Sequence, residues 1–138
     1  MSQPPYETVV IDSSALVALL ADGGPHGQWV SLTVKGATLA APQLALFETS
    51  NILRRHQLTG VLDATQARLA HQDLLALPMD LWPYPPLAER VWQLRDNLTS
   101  YDGSYVALAE LLNAPLVTLD VRLANASGPR CEILKVGP

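Results

Sequence analysis

The apolar residues of this chain come in short runs with two different rhythms. Glu7 to Ile11 is rich in β-branched residues and does not alternate, which predicts a buried strand. Ser13 to Leu20 follows as a helix, closed by Asp22-Gly23-Gly24-Pro25, and residues 26–34 read as a second short helix ending near Lys35-Gly36. Thr38 to Ala41 predicts a second strand. Pro42 stands where helices accept proline, in the first turn of a helix that runs to about His56. Asp63 is suited to cap a helix reaching about Ala76. Met79 to Trp82 predicts a strand, Pro83-Tyr84-Pro85-Pro86 a stiff turn, and Leu87 to Leu98 a helix. Asp102 or Gly103 starts a helix to about Asn113. Pro115 then leads into a strand over Leu116 to Leu119, a short helix over Arg122 to Ala126 and a last strand over Cys131 to Val136.

Strands that alternate with helices and read as unbroken apolar runs imply a parallel sheet covered on both faces. The expected fold class is α/β: three layers, α/β/α, around a central parallel sheet of four to five strands. The 138 residues suit a single domain spanning 1–138 and can bury a core without disulfides or a structural metal. Apolar residues make up 49% of the chain, a slight surplus that fits two-sided burial of the sheet, a subunit interface, or both. The lone Cys131 excludes an internal disulfide and fits a reducing compartment; a small core residue in the last strand is its ordinary reading.

The N-terminus carries no basic residues before its first apolar run, so no signal peptide is expected. That run, Thr8 to Leu20, is interrupted by Asp12 and is too short to span a membrane. A cytoplasmic protein with no membrane association is the expectation. The net charge of −4 argues against a passive nucleic-acid coat, which would be basic. It is compatible with chemistry in which a bound cation reverses the local field.

Among thirteen acidic residues, four are placed differently from a solvated face. Asp12 directly follows Val9-Val10-Ile11, and Asp120 directly follows Leu116-Val117-Thr118-Leu119, so both end a buried parallel strand at the edge where open α/β sheets bind ligands. Glu48 shares a helical face with Leu44 and Ile52, an expensive position for a carboxylate unless it is paired or metal-bound. Asp102 stands at a helix start. Each has a plainer reading: Asp12, Asp102 and Asp120 as helix N-caps, Glu48 as the partner of Arg54, Arg55 or Arg95. If the four stand together, their charges raise one another's pKa and destabilise the fold, and a hard divalent cation with oxygen ligands, Mg²⁺ or Mn²⁺, relieves that strain. His26, His56 and His71 share no ligand spacing and read as surface or structural residues.

Taken together, these segments resemble the PIN-domain family and, within it, the bacterial VapC toxins. Val9-Val10-Ile11-Asp12-Ser13-Ser14-Ala15-Leu16 is similar to the family's strand, Asp-x-Ser and helix opening. Ala41-Pro42 through Glu48, Asn51 and Leu53-Arg54-Arg55 is similar to its second motif. Leu98-Thr99-Ser100-Tyr101-Asp102-Gly103-Ser104-Tyr105-Val106-Ala107-Leu108-Ala109-Glu110 is the nearest match, and Ala114 through Ala124 resembles the fourth. Gly103 departs from the alanine often found there; it loosens the helix start and removes no ligand.

The resemblance implies a metal-dependent endoribonuclease paired with a cognate VapB-type antitoxin, often as a homodimer. It carries catalytic and metal-ligand roles onto Asp12, Glu48, Asp102 and Asp120, and lets Ser14 and Thr118 orient ligands or waters. The plainer reading of those two hydroxyls is that they satisfy nearby backbone. Arg54, Arg55, Arg95 and Arg122 are candidates for phosphate contacts. Trp29, Trp82 and Trp92 are candidates for base stacking, with core or interface packing the better reading. A rival reading is a non-catalytic interaction module that kept the fold. A phosphatase with an aspartyl nucleophile typically wants Asp-x-Asp where this chain has Asp12-Ser13-Ser14. A receiver domain needs a lysine after a later strand, and only Lys35 and Lys135 exist.

Overall fold

The computed structural model describes residues 5–136. Five strands form one sheet: β1 (Thr8–Ile11), β2 (Thr38–Pro42), β3 (Asp80–Trp82), β4 (Leu116–Val117) and β5 (Ile133–Leu134). All neighbours pair parallel, in the order β3-β2-β1-β4-β5. The helices are α1 (Ser13–Ala21), α2 (Pro25–Val34), α3 (Leu44–Leu58), α4 (Ala64–Ala76), α5 (Ala88–Gln93), α6 (Ser100–Leu112) and α7 (Val121–Ala124), with a 3₁₀ turn at Pro85–Leu87 before α5. The expected fold class is borne out. Successive strand residues point to opposite faces, and Val9, Val10 and Ile11 of β1 are all fully buried, so both faces are covered.

Right-handed crossovers place α1 to α4 on one face and α5 to α7 on the other. The packing follows: α1 lies against α2, α3 and α4, while α5 lies against α6, which itself covers β1 and β2. The chain leaves β1 toward β2 on one side and returns to β4 on the other. That reversal opens a crevice at the carboxyl ends of β1 and β4.

Several boundaries differ from the sequence reading. Pro42 ends β2 instead of opening α3. Its missing N–H costs nothing there, because the β1–β2 ladder stops at Val10 opposite Ala40. The helix expected over Leu87 to Leu98 is α5 alone, six residues long; Asp96 and Asn97 follow in a turn, which their side chains favour. The helix expected from Asp102 begins at Ser100, capped by Thr99, whose hydroxyl accepts from the Asp102 amide at 3.1 Å. Cys131 lies before β5, not in it. It borders a cavity of about 350 Å³ with Tyr6, Glu110 and Arg130 at the amino edge of the sheet. Burial pushes its thiol up to about 11. Among the described residues no helix is long and apolar enough to cross a membrane.

Candidate active site at the carboxyl edge of the sheet

Asp12 is the residue at which β1 becomes α1. Its extended backbone makes it the N-cap, and Oδ1 accepts from the Ala15 amide at 3.0 Å. The same oxygen accepts from the Ser14 hydroxyl at 2.7 Å, and Oδ2 accepts from Thr118. The capping reading of Asp12 therefore holds, and so does its burial: it is 5% exposed, and no Lys, Arg or His pairs with it among the described residues. Burial pushes its carboxyl above the ordinary range; hydrogen bonds from Ser14, Thr118 and Ala15 oppose this, and the charge of Asp120 adds to it.

Ser14 and Thr118 satisfy nearby backbone, as their plainer reading expects, and also hold Asp12. Each donates to Asp12, and each accepts from the backbone: Leu119 N–H to Ser14 at 3.0 Å and Asp120 N–H to Thr118 at 2.9 Å. Two of these bonds, Thr118 to Asp12 and the Leu119 amide to Ser14, pin the end of β4 to the start of α1. The bond from its own amide to Thr118 sets Asp120, whose Oδ1 accepts from the Arg122 amide at 2.9 Å and caps α7. The exposed Arg122 guanidinium lies 3.6 Å from Asp120 Oδ2.

Asp102 is the third residue of α6, half-buried. Its carboxyl is raised by burial first, then by the charge of Asp120, while Arg122 lowers it. Asp12 and Asp102 thus both feel the charge of Asp120. The cap reading of Asp102 is corrected, since Thr99 is the cap.

Glu48 has no arginine partner among the described residues. Tyr105 donates its phenolic O–H to Glu48 Oε1 at 2.6 Å. Tyr105 is 1% exposed, and its hydroxyl is pushed far up by burial, then by Glu48 and Asp12, so it stays protonated. The sequence reading quoted Tyr105 within its third motif but gave it no role. The signal available was its position three residues after Asp102, on the same helical face.

Asp120 acts on both Asp12 and Asp102, and Tyr105, one turn from Asp102, reaches Glu48, but among the described residues no three His, Cys, Asp or Glu side chains are grouped closely enough to hold a metal ion by themselves. Magnesium keeps several waters and takes one or two direct carboxylates, so it does not require a closed cage of protein ligands. The donors are all oxygen, and the deepest is a buried carboxylate without a counter-cation. The set fits a hard divalent ion. Two cavities lie at this edge: one of about 250 Å³ bordered by His26, Thr118, Asp120 and Lys135, another of about 320 Å³ bordered by Ser14, Val17, His56 and Leu119. Arg54 and Arg55 are exposed on α3, whereas Arg95 stacks over Trp92 with its guanidinium 4.8 Å from the ring centre. Trp29 and Trp82 pack against the core.

A doubly covered parallel sheet with acidic residues at its switch point defines a three-layer α/β protein. The chain belongs to the PIN domain family, whose model matches residues 9–129. It is 42% identical over 125 residues to ribonuclease VapC1 of Mycobacterium tuberculosis, covering 90% of this chain and 94% of that protein. It is 38% identical over 128 residues to ribonuclease VapC9 of the same organism, covering 93% and 98%. Its fold matches the crystal structure of VapBC2 from Rickettsia felis bound to a promoter DNA fragment, with a TM-score of 0.69 at 14% identity, covering 94% of this chain and 99% of that one.

Proposed function

We propose that the chain is the endoribonuclease toxin of a VapBC-type pair and hydrolyses RNA phosphodiester bonds with Mg²⁺ or Mn²⁺ at Asp12, Asp102, Asp120 and Glu48. The RNA substrate rests on kinship with proteins named as VapC ribonucleases. The observation that carries the metal reading is Asp12: a buried carboxylate at the switch point, held by three neutral donors and raised further by the charge of Asp120.

A divalent cation, when bound, supplies Lewis acidity toward water and toward charge developing on the phosphate. This chain's residues do the positioning. Ser14 and Thr118 fix both oxygens of Asp12 without neutralising them. Asp120 and Asp102 present carboxylates from the two elements on either side, and Glu48 does so from α3. Arg122, free in solvent beside Asp120, is placed to meet a backbone phosphate. The cavity bordered by Asp120, His26 and Lys135 gives a substrate strand room beside the acids.

Cleavage of an RNA substrate by the purified chain tests this. Activity should appear with Mg²⁺ or Mn²⁺, vanish in EDTA and fall by orders of magnitude in Asp102→Asn. Equal cleavage in EDTA, or an undiminished variant, would sink the metal mechanism. For partners, the reading is a VapB-type antitoxin and a homodimer in the cytoplasm. It draws on the VapBC2 likeness and on exposed apolar side chains such as Phe47, Leu75 and Trp92. A small reading frame just upstream, encoding a DNA-binding protein, and the mass of the purified chain in solution check the two partner claims.

A further inference from the structure

Glu48 comes from α3, which rests on α1, α4 and one face of β2, whereas Asp102 comes from α6, which rests on β1, α5 and the other face of β2. Two carboxylates on helices from opposite faces of the sheet need something to hold their relative placement to a fraction of an ångström. A charged partner for Glu48 would do so by neutralising it, and would weaken it as a ligand for a cation. Tyr105 is on the same face of α6 as Asp102, one turn further on. Its ring is wholly buried, so the hydroxyl cannot swing, and it meets Glu48 Oε1 at 2.6 Å. A neutral donor on one oxygen leaves the charge intact and the other oxygen free. Ser14 and Thr118 treat Asp12 in the same manner.

We propose that Tyr105 is a positioning residue: its hydroxyl clamps Glu48 from the helix that carries Asp102, so that α3 and α6 offer their carboxylates to one divalent cation as a unit. This rests on the metal reading above.

The probe is Mn²⁺ alone, titrated by calorimetry into metal-free protein, with the Mn²⁺-induced rise in melting temperature as a second readout. Tyr105→Phe keeps the ring and removes one oxygen. It should weaken Mn²⁺ binding about tenfold and lower kcat with KM nearly unchanged. In a Glu48→Ala background the same change should alter Mn²⁺ affinity by less than about twofold, since no carboxylate remains to be held. Incorporating para-aminophenylalanine at position 105 restores a donor and should recover most of the loss; it also keeps the test decisive if the phenylalanine variant folds poorly. Wild-type Mn²⁺ affinity in Tyr105→Phe, an equal loss with and without Glu48, or no rescue by the amino analogue would overturn the role. Absence of Mn²⁺ binding by the wild-type chain would overturn the metal reading itself, and this role with it.

Discussion

Asp12 does two jobs that substitution can separate. Replacing it with Asn or with Ala removes the same buried charge, so relief from burial and from Asp120 is common to both and cancels in the comparison. What differs is hydrogen bonding. Asn keeps an oxygen for the Ala15 amide and the Ser14 hydroxyl, now 3.0 and 2.7 Å from Oδ1. Thr118 can then turn its proton toward Ser14 Oγ, 3.5 Å away. Ala removes the cap of α1, worth about 1 kcal/mol. It also leaves the Ser14 and Thr118 protons with only each other, so one is stranded beside a fully buried Thr118, at about 1–3 kcal/mol.

Asp12→Ala should therefore be less stable than Asp12→Asn by about 2–4 kcal/mol in EDTA, or roughly 10 °C in melting temperature for a chain of this size. Urea unfolding followed by circular dichroism measures the gap. Stabilities equal within about 0.5 kcal/mol would refute the reasoning, because the hydrogen bonds would then be carrying nothing. The same samples test function: both variants should lose the Mn²⁺-induced stabilisation. If Asp12→Asn kept the wild-type response, Asp12 would be a cap and not a ligand.

The carboxyls of Asp12 and Asp102 are both raised, by burial first. A raised carboxyl contributes stability that is fully present below its unfolded value and is lost as pH rises through its folded one, so the metal-free chain should lose stability as pH rises from the ordinary carboxylate range toward neutrality. A urea midpoint that climbs over this window, or that falls as steeply in the Asp12→Asn, Asp102→Asn double variant, contradicts this. Glu110, pushed up by burial but held low on balance by Arg90 and the Arg130 amide, acts in the opposite sense only at more acid pH. Two glycines should behave oppositely. A Cβ at Gly27 would lie 1.7 Å from the Asp22 carbonyl oxygen, so Gly27→Ala should cost about 3 kcal/mol, whereas at Gly103 it would meet Val91 at 3.6 Å, so Gly103→Ala should gain about 0.5–1 kcal/mol by chemical denaturation. Thr49 is fully buried and its hydroxyl has no partner among the described residues, so Thr49→Val should raise stability by about 1 kcal/mol; a loss would mean that the hydroxyl is satisfied in solution.

What the sequence made legible follows from where signals are local. β1 is an unbroken apolar run and announces itself. The cap of α4 is written as Asp63 with Gln66 three residues on, and both halves of that box form, at 2.7 and 2.9 Å. Asp12 and Asp120 could be placed because a strand end fixes which edge a residue occupies. The start of α6 was misread although Thr99-x-x-Asp102 has the spacing of the same signature: Asp102 attracted attention as an acid and hid its own cap. Tyr105 and Gly27 were illegible for another reason. Each matters through an atom brought close by tertiary packing, Glu48 across 57 positions in one case and the α1–α2 turn in the other. No periodicity records such a contact.

The two ends of the sheet divide stability from chemistry. At the amino edge, Arg90 donates through Nε to Glu110 at 2.7 Å and through a terminal nitrogen to the Gly128 carbonyl at 2.9 Å, while the Arg130 amide donates to Glu110 at 2.8 Å. Opposite charges there meet in a bidentate, hydrogen-bonded cluster that ties α5, α6 and the approach to β5. At the carboxyl edge, acids face acids, and the donors supplied to the deepest of them are hydroxyls and an amide. A fold selected only for stability would replace Asp12 by Asn or Ser, keeping the cap and shedding the charge. That both ends lie on the same elements — α6 carries Glu110 at one end and Asp102 at the other — lets the braced end hold steady the end that carries the repulsion.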